Sequence, residues 1–205
     1  TLRAPLPLDR ALRVSHPSPD AVSLHDADLL LADACVVSFA LEVPPAPTLE
    51  AAVAAGSLGR MRARRGLGNP YAVCFGCGIE RHADDGLRIL PSPVGDAGLV
   101  ASDWTPHPSL ADPAGKVPDA IVWAALDCPA GIAWVAQLEG TPSLVTGRMT
   151  ARIDAPVRAG EPLIVTGWPI ARDGRKLHAG TALFDRTGRL LACTRQLWLM
   201  PKPAG

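Results

Sequence analysis

The sequence predicts an α+β domain in which antiparallel strands surround one buried helix. Between Ile121 and Ala136 the only charged side chain is Asp127, and the residues around it leave no polar helix face. A helix that is apolar all round is buried on most sides. Downstream, apolar and polar residues alternate from Val145 to Ile153, the period of a half-buried strand, and three further strand patterns follow.

Leu163 to Ile170 reads as the next strand, and Asp173-Gly174 is a hairpin signal that returns the chain through Leu177 to Phe184. Thr187-Gly188 turns it again into Leu190 to Leu199, and Pro201 and Pro203 end the element. Upstream, Leu87 to Leu90 and Leu99 to Trp104 read as strands around the turn Gly95-Asp96-Ala97-Gly98. The central helix is expected over residues 119–138. It is short of the ~18–20 apolar residues of a membrane span, and it contains Pro129 and Gly131.

Composition narrows the function classes. Twenty basic residues balance twenty acidic ones in a chain of 205 residues, which argues against an electrostatic nucleic-acid binder or a membrane-surface protein. The opening Thr-Leu-Arg-Ala-Pro-Leu-Pro lacks the apolar core of a signal peptide. Five cysteines without framework spacing imply reduced thiols, so a cytoplasmic setting is expected.

The N-terminus reads as a second copy of part of this pattern. Ala4-Pro5, Leu12 and Val14 superpose without gaps on Ala155-Pro156, Leu163 and Val165, and Leu30-Leu31-Ala32 matches Leu190-Leu191-Ala192 after a shift of spacing. Residues 1–41 are therefore expected to be a partial repeat holding the back-half strands. Its first strand and helix would come from upstream sequence or another chain. Residues 42–73 read as a linker, with a Pro-rich start and a short helix capped by Thr48 and ended by Gly56. Residues 74–201 form the complete domain.

Three motifs carry a resemblance: Cys74-Phe75-Gly76-Cys77-Gly78, then Gly86-Leu87-Arg88-Ile89, then Trp123-Ala124-Ala125-Leu126-Asp127. Together they resemble hotdog-fold acyl-CoA thioesterases of the phenylacetyl-CoA type, and the half-repeat resembles double-hotdog members. The resemblance implies a hotdog fold, a curved antiparallel sheet wrapped around the central helix, with a partial second hotdog at the N-terminus. It implies an acyl-CoA substrate and a homodimer or a hotdog pseudo-dimer.

In resembling enzymes the helix carboxylate attacks the thioester carbonyl or activates a water, and Asp127 stands at that position. The family places His-Gly-Gly at the helix start, where backbone N–H groups hold the oxyanion. This chain has Pro118-Asp119-Ala120 there. Pro118 has no N–H, which leaves Ala120 and Ile121 as donors and makes a non-catalytic acyl-CoA binding or assembly module the alternative. His107, Trp123, Thr146 and Arg148 are candidate substrate contacts, against a bland reading as exposed loop and solvated strand face.

Cys74 and Cys77 admit packing, metal and redox readings. Zinc needs four ligands, and the sequence offers only His82 nearby, so no metal and no cofactor is expected. The arginines at 60, 62, 64 and 65 suit either CoA phosphates or a solvated linker face.

Overall fold

The alternation downstream of the apolar helix folds into strands. The computed structural model describes residues 1–67, 71–82, 84–95, 97–140 and 142–201. In chain order the elements are β1 (Arg13–Ser18), β2 (Ala21–Asp26), β3 (Leu29–Cys35), α1 (Leu49–Arg64), β4 (Ser92–Pro93) and β5 (Val100–Trp104). There follow α2 (Asp119–Val135), β6 (Val145–Ile153), β7 (Leu163–Asp173), β8 (Lys176–Asp185) and β9 (Leu190–Leu199). Six strands make one sheet in the order β4-β5-β7-β8-β9-β6, every pair antiparallel.

Because successive side chains leave a strand on opposite faces, β7 to β9 build two cores. On one face Leu163, Val165, Leu183 and Ala192 pack against Val122, Ala125 and Leu126 of α2. On the other, Ile164, Trp168, Ala182, Phe184 and Cys193 pack against Ala52 of α1. This is the hotdog arrangement, with α2 as its filling. Among the described residues, no helix is long and apolar enough to cross a membrane.

A buried polar network fixes α2 to the sheet. The Leu126 carbonyl accepts hydrogen bonds from Thr181 Oγ1 at 2.9 Å and Gln196 Nε2 at 2.7 Å. Gln196 also donates to Thr194 Oγ1, and its Oε1 accepts from Trp198 Nε1, each at 2.7 Å. Polar atoms this deep are tolerated only when paired, and this set holds the residue immediately before Asp127.

The expected linker is a packed layer. Phe39, Leu41, Val43, Ala46 and Leu49, with Phe39 and Leu41 just before the linker, cover the outer face of the sheet. Thr48 caps α1 as expected, its Oγ1 accepting from Ala51 N at 3.2 Å, but Gly56 does not end the helix. Gly56 and Gly59 are where α1 touches the sheet: a Cβ at Gly59 would lie 1.9 Å from the Leu90 carbonyl oxygen. Arg60 of the arginine cluster pairs with Asp103 at 2.9 Å. Since a backbone atom blocks the space, Gly59→Ala is expected to lift α1 and cost about 1–3 kcal/mol, read as a lowered urea midpoint.

Two other expectations change. Residues 87–90 are buried but form no strand: Leu87 N and Ile89 N donate to Phe75 O and Gly76 O, and Arg88 between them has φ +54°. The edge strand is β4, two residues on, and its turn to β5 includes Asp96, which lies outside the described residues. Helix α2 stops at Val135 rather than at residue 138.

The N-terminal strands form a separate sheet in the order β1-β2-β3. Its bonds repeat those of the main sheet. Arg3 N and Ala4 N both donate to Leu31 O, at 2.8 and 3.3 Å, just as Asp154 N and Ala155 N both donate to Leu191 O, at 2.7 and 3.1 Å. Leu2 bridges Ala32 as Ile153 pairs with Ala192. The residues in each position are those the sequence superposition aligns. The two sheets meet where Leu2 N donates to Gly147 O at 2.9 Å.

Candidate functional site

Helix α2 is covered by the sheet on most sides but keeps one open stripe. Ala120 and Trp123 are exposed, Trp123 to 39%, and Ala124 and Asp127 are partly so. These positions are spaced three and four apart and share one face. Asp127 is thus reachable from the surface, although most of what surrounds it is protein.

Thr146 Oγ1 donates to Asp127 Oδ1 at 2.9 Å. The register of β6 against β9 shifts between Thr146 and Arg148, a bulge that interrupts the strict alternation. Period-two reading groups Thr146 with Arg148 on a solvated face. The structure separates them: Thr146 turns to the carboxylate, while Arg148 is exposed and donates to Thr1 Oγ1 at 3.0 Å.

Burial pushes the Asp127 carboxyl up to about 6. The charge of Cys74 adds to that rise, and the Thr146 hydrogen bond opposes it. Desolvation penalises the ionised form most when few donors compensate, and here Thr146 is the one side-chain donor the carboxylate has among the described residues.

At the helix start the two expected donors part company. Ile121 N donates to Pro118 O at 2.9 Å, so its N–H is already engaged. Ala120, in the first turn of α2, belongs to the N–H groups that find no partner inside a helix. Asp119 is the first helical residue rather than the cap, and Lys116 pairs with it at 3.3 Å, which offsets its negative charge. His107 is exposed and caps a one-turn 3-10 helix, its Nδ1 accepting from Ser109 N at 3.2 Å.

The Cys74–Cys77 loop lies against α2. A Cβ at Gly76 would meet Cys128 Sγ at 2.9 Å and Ala124 O at 3.3 Å, so only glycine lets the loop come this close. Cys74 Sγ stands 3.6 Å from Cys128 Sγ. Hydrogen bonds from Cys128 and Cys77 hold the Cys74 thiol far below its ordinary value, and the same contacts with burial push Cys128 up. Sequence reasoning missed Cys128 as a member of this group, because it follows Cys77 by 51 positions, 128 minus 77, in a run that reads as pure core.

The best-formed cavities lie elsewhere. One of about 150 Å³ is bounded by Gly59, Arg62, Leu90, Ile132 and Ala136, and one of about 350 Å³ by Glu161, Pro162, Asp185, Arg186 and Thr187. Asp127 lines neither, so it lies on an open stripe rather than at the bottom of a closed pocket.

No family model and no curated protein matches the chain. Among solved structures it is similar to a thioesterase superfamily protein, at 24% identity and a TM-score of 0.48, over 54% of this chain and 52% of that one. It is similar to a phenylacetic acid degradation-related protein from Ralstonia eutropha, at 22% identity and 0.49, over 54% and 83%. A Streptococcus mutans protein bound to acetyl CoA matches at 10% identity and 0.48, over 53% and 86%. The likeness is one of fold. It covers about half of this chain, and the chain spans about half the length of the first of these proteins.

Proposed function

We propose that this protein binds an acyl-CoA thioester and hydrolyses it, with Asp127 as the reacting carboxylate. The observation that carries the reading is a desolvated carboxylate with a raised pKa on the open stripe of an otherwise apolar helix. A base is most effective with a pKa near the working pH. The Asp127 carboxylate takes a proton from water as the water oxygen bonds to the thioester carbon. The carbon–sulfur bond then breaks, and the CoA sulfur leaves with the proton returned from Asp127. Alternatively the carboxylate attacks the carbonyl itself, and water cleaves the resulting anhydride.

Thr146 orients the carboxylate, Trp123 offers an apolar wall for the acyl group, and the Ala120 N–H faces the developing oxyanion. Arg148, exposed on the edge of β6 beside the N-terminal segment, suits the anionic end of CoA. His107 remains a surface candidate for the same role. Gly147, next to Thr146, carries the junction with the N-terminal sheet. A paired module there, in a homodimer or a pseudo-dimer, would wall the open stripe. Reduced cysteines fit a cytoplasmic location.

The test is release of free thiol from a panel of acyl-CoA esters of graded chain length and aromatic content. Turnover of at least one class is expected. Thr146→Val keeps the shape but removes the hydrogen bond, and is expected to lower kcat about 10–100-fold with KM little changed. Unchanged turnover in Thr146→Val would remove that residue from the machinery.

One observation favours a second reading, an acyl-CoA binding module without turnover. Pro118 has no N–H and the Ile121 N–H is taken, which leaves fewer oxyanion donors than the family pattern supplies. That reading predicts a higher Tm with acyl-CoA and no thiol release.

A further inference from the structure

Outside the proposed reaction, the group that stands out is the trio of sulfurs beneath α2. Cys74, Cys77 and Cys128 place their Sγ atoms all within 4.8 Å of one another, with Cys77 and Cys128 buried and Cys74 partly so. We infer that these three thiols form a binding site for a zinc-class metal ion, with three thiolate ligands and a fourth position left open.

Geometry is the first support. An ion with tetrahedral bonds of about 2.3 Å to sulfur holds its sulfurs roughly 3.8 Å apart. The Cys74–Cys128 pair already stands at 3.6 Å. Closing the site therefore needs only small rotations of the third side chain.

The loop is also braced for the task. Gly78 N donates to Cys74 O at 2.8 Å, closing the turn that brings Cys74 and Cys77 to one side. Leu87 N and Ile89 N hold Phe75 O and Gly76 O at 2.8 and 2.9 Å, which pins the loop from behind. Gly76 lets it approach Cys128 without a clash. Packing alone asks for none of this convergence of three sulfurs.

Ligand chemistry selects the metal. Three thiolates suit zinc and its soft congener cadmium, and they do not suit magnesium or calcium. His82, the fourth ligand the sequence offered, is exposed and stands outside the sulfur group. Three protein ligands are the number found at zinc sites that keep a position for water or substrate. On binding, each ligating thiol that carries a proton releases it to solvent as its sulfur bonds to the metal.

The experiment is titration of the reduced, chelator-treated full chain with Cd²⁺ and, separately, Zn²⁺. With Cd²⁺, a sulfur-to-metal charge-transfer band saturating at one equivalent is expected. Its amplitude should fall by about a third in Cys128→Ser and stay unchanged in Cys193→Ser and Cys35→Ser. With Zn²⁺, alkylation of Cys74, Cys77 and Cys128 by iodoacetamide, mapped by mass spectrometry, should slow about tenfold or more, while Cys35 continues to react. The alkylation map uses the unmutated chain, so it decides the question even if Cys128→Ser does not fold. No saturable band, full amplitude in a folded Cys128→Ser, or unprotected Cys74 would each overturn the site. None of these readouts depends on thioester turnover.

Discussion

Asp127→Asn is expected to abolish thiol release and at the same time to stabilise the protein above pH 6. The two results come from one cause. The carboxyl is held at about 6, above the model value of 3.8, because burial disfavours its charge. A raised carboxylate pKa means the folded state binds that proton more tightly than the unfolded chain does. The group's contribution is therefore fully present below the unfolded value and is lost as pH rises through about 6.

At pH 8 the ionised carboxylate opposes folding by roughly 1–3 kcal/mol, at 1.36 kcal/mol per pKa unit. Asparagine removes the charge and keeps an oxygen for the Thr146 hydroxyl. The gain should appear in urea titrations of chelator-treated protein at pH 8 and vanish near pH 4. A carboxylate kept for structure behaves oppositely: its replacement would lose stability at pH 8. A residue whose neutralisation costs activity but adds stability is the pattern of a functional site.

The second large effect is expected at Gln196. This side chain, 2% exposed, donates to the Leu126 carbonyl and to Thr194, and accepts from Trp198. Gln196→Leu strands the Trp198 N–H and removes one of two side-chain donors to Leu126. Leaving buried polar groups unpaired costs roughly 1–3 kcal/mol each, so a loss of about 2–4 kcal/mol is expected, with the m-value unchanged. Since Leu126 precedes Asp127, the folded variant should also hydrolyse more slowly. A loss below about 1 kcal/mol would show that the network does not hold the helix.

The fold was legible where periodicity was strong. β6 to β9 and α2 stand close to where alternation and the apolar run put them, because burial on one face or on all sides leaves a pattern in the chain. The N-terminal superposition was legible for the same reason, and its paired bonds at Leu31 and Leu191 repeat one another. Where tertiary contacts decide, the reading slipped. Gly56 ends helices in isolation, but here a glycine face is what lets α1 touch the sheet. Residues 87–90 have strand composition, yet their N–H groups are taken by the cysteine loop.

The site was legible in its centre and not in its surroundings. Asp127 announced itself as one charge in an apolar helix, but its partner Thr146 faces it only because a bulge breaks the alternation of β6. Cys128 joined Cys74 and Cys77 through a contact that spacing alone does not encode. One available signal went unread: the inward positions of β9 include Thr194, Gln196 and Trp198, whose polar atoms need partners inside the core.

Thiol release by the unmutated chain and by Asp127→Asn, assayed side by side on the same acyl-CoA panel, tests the central claim most directly. Turnover of at least one ester that disappears in a folded Asp127→Asn is the expected result. Equal turnover in both, or none in either, would contradict a catalytic carboxylate at this position.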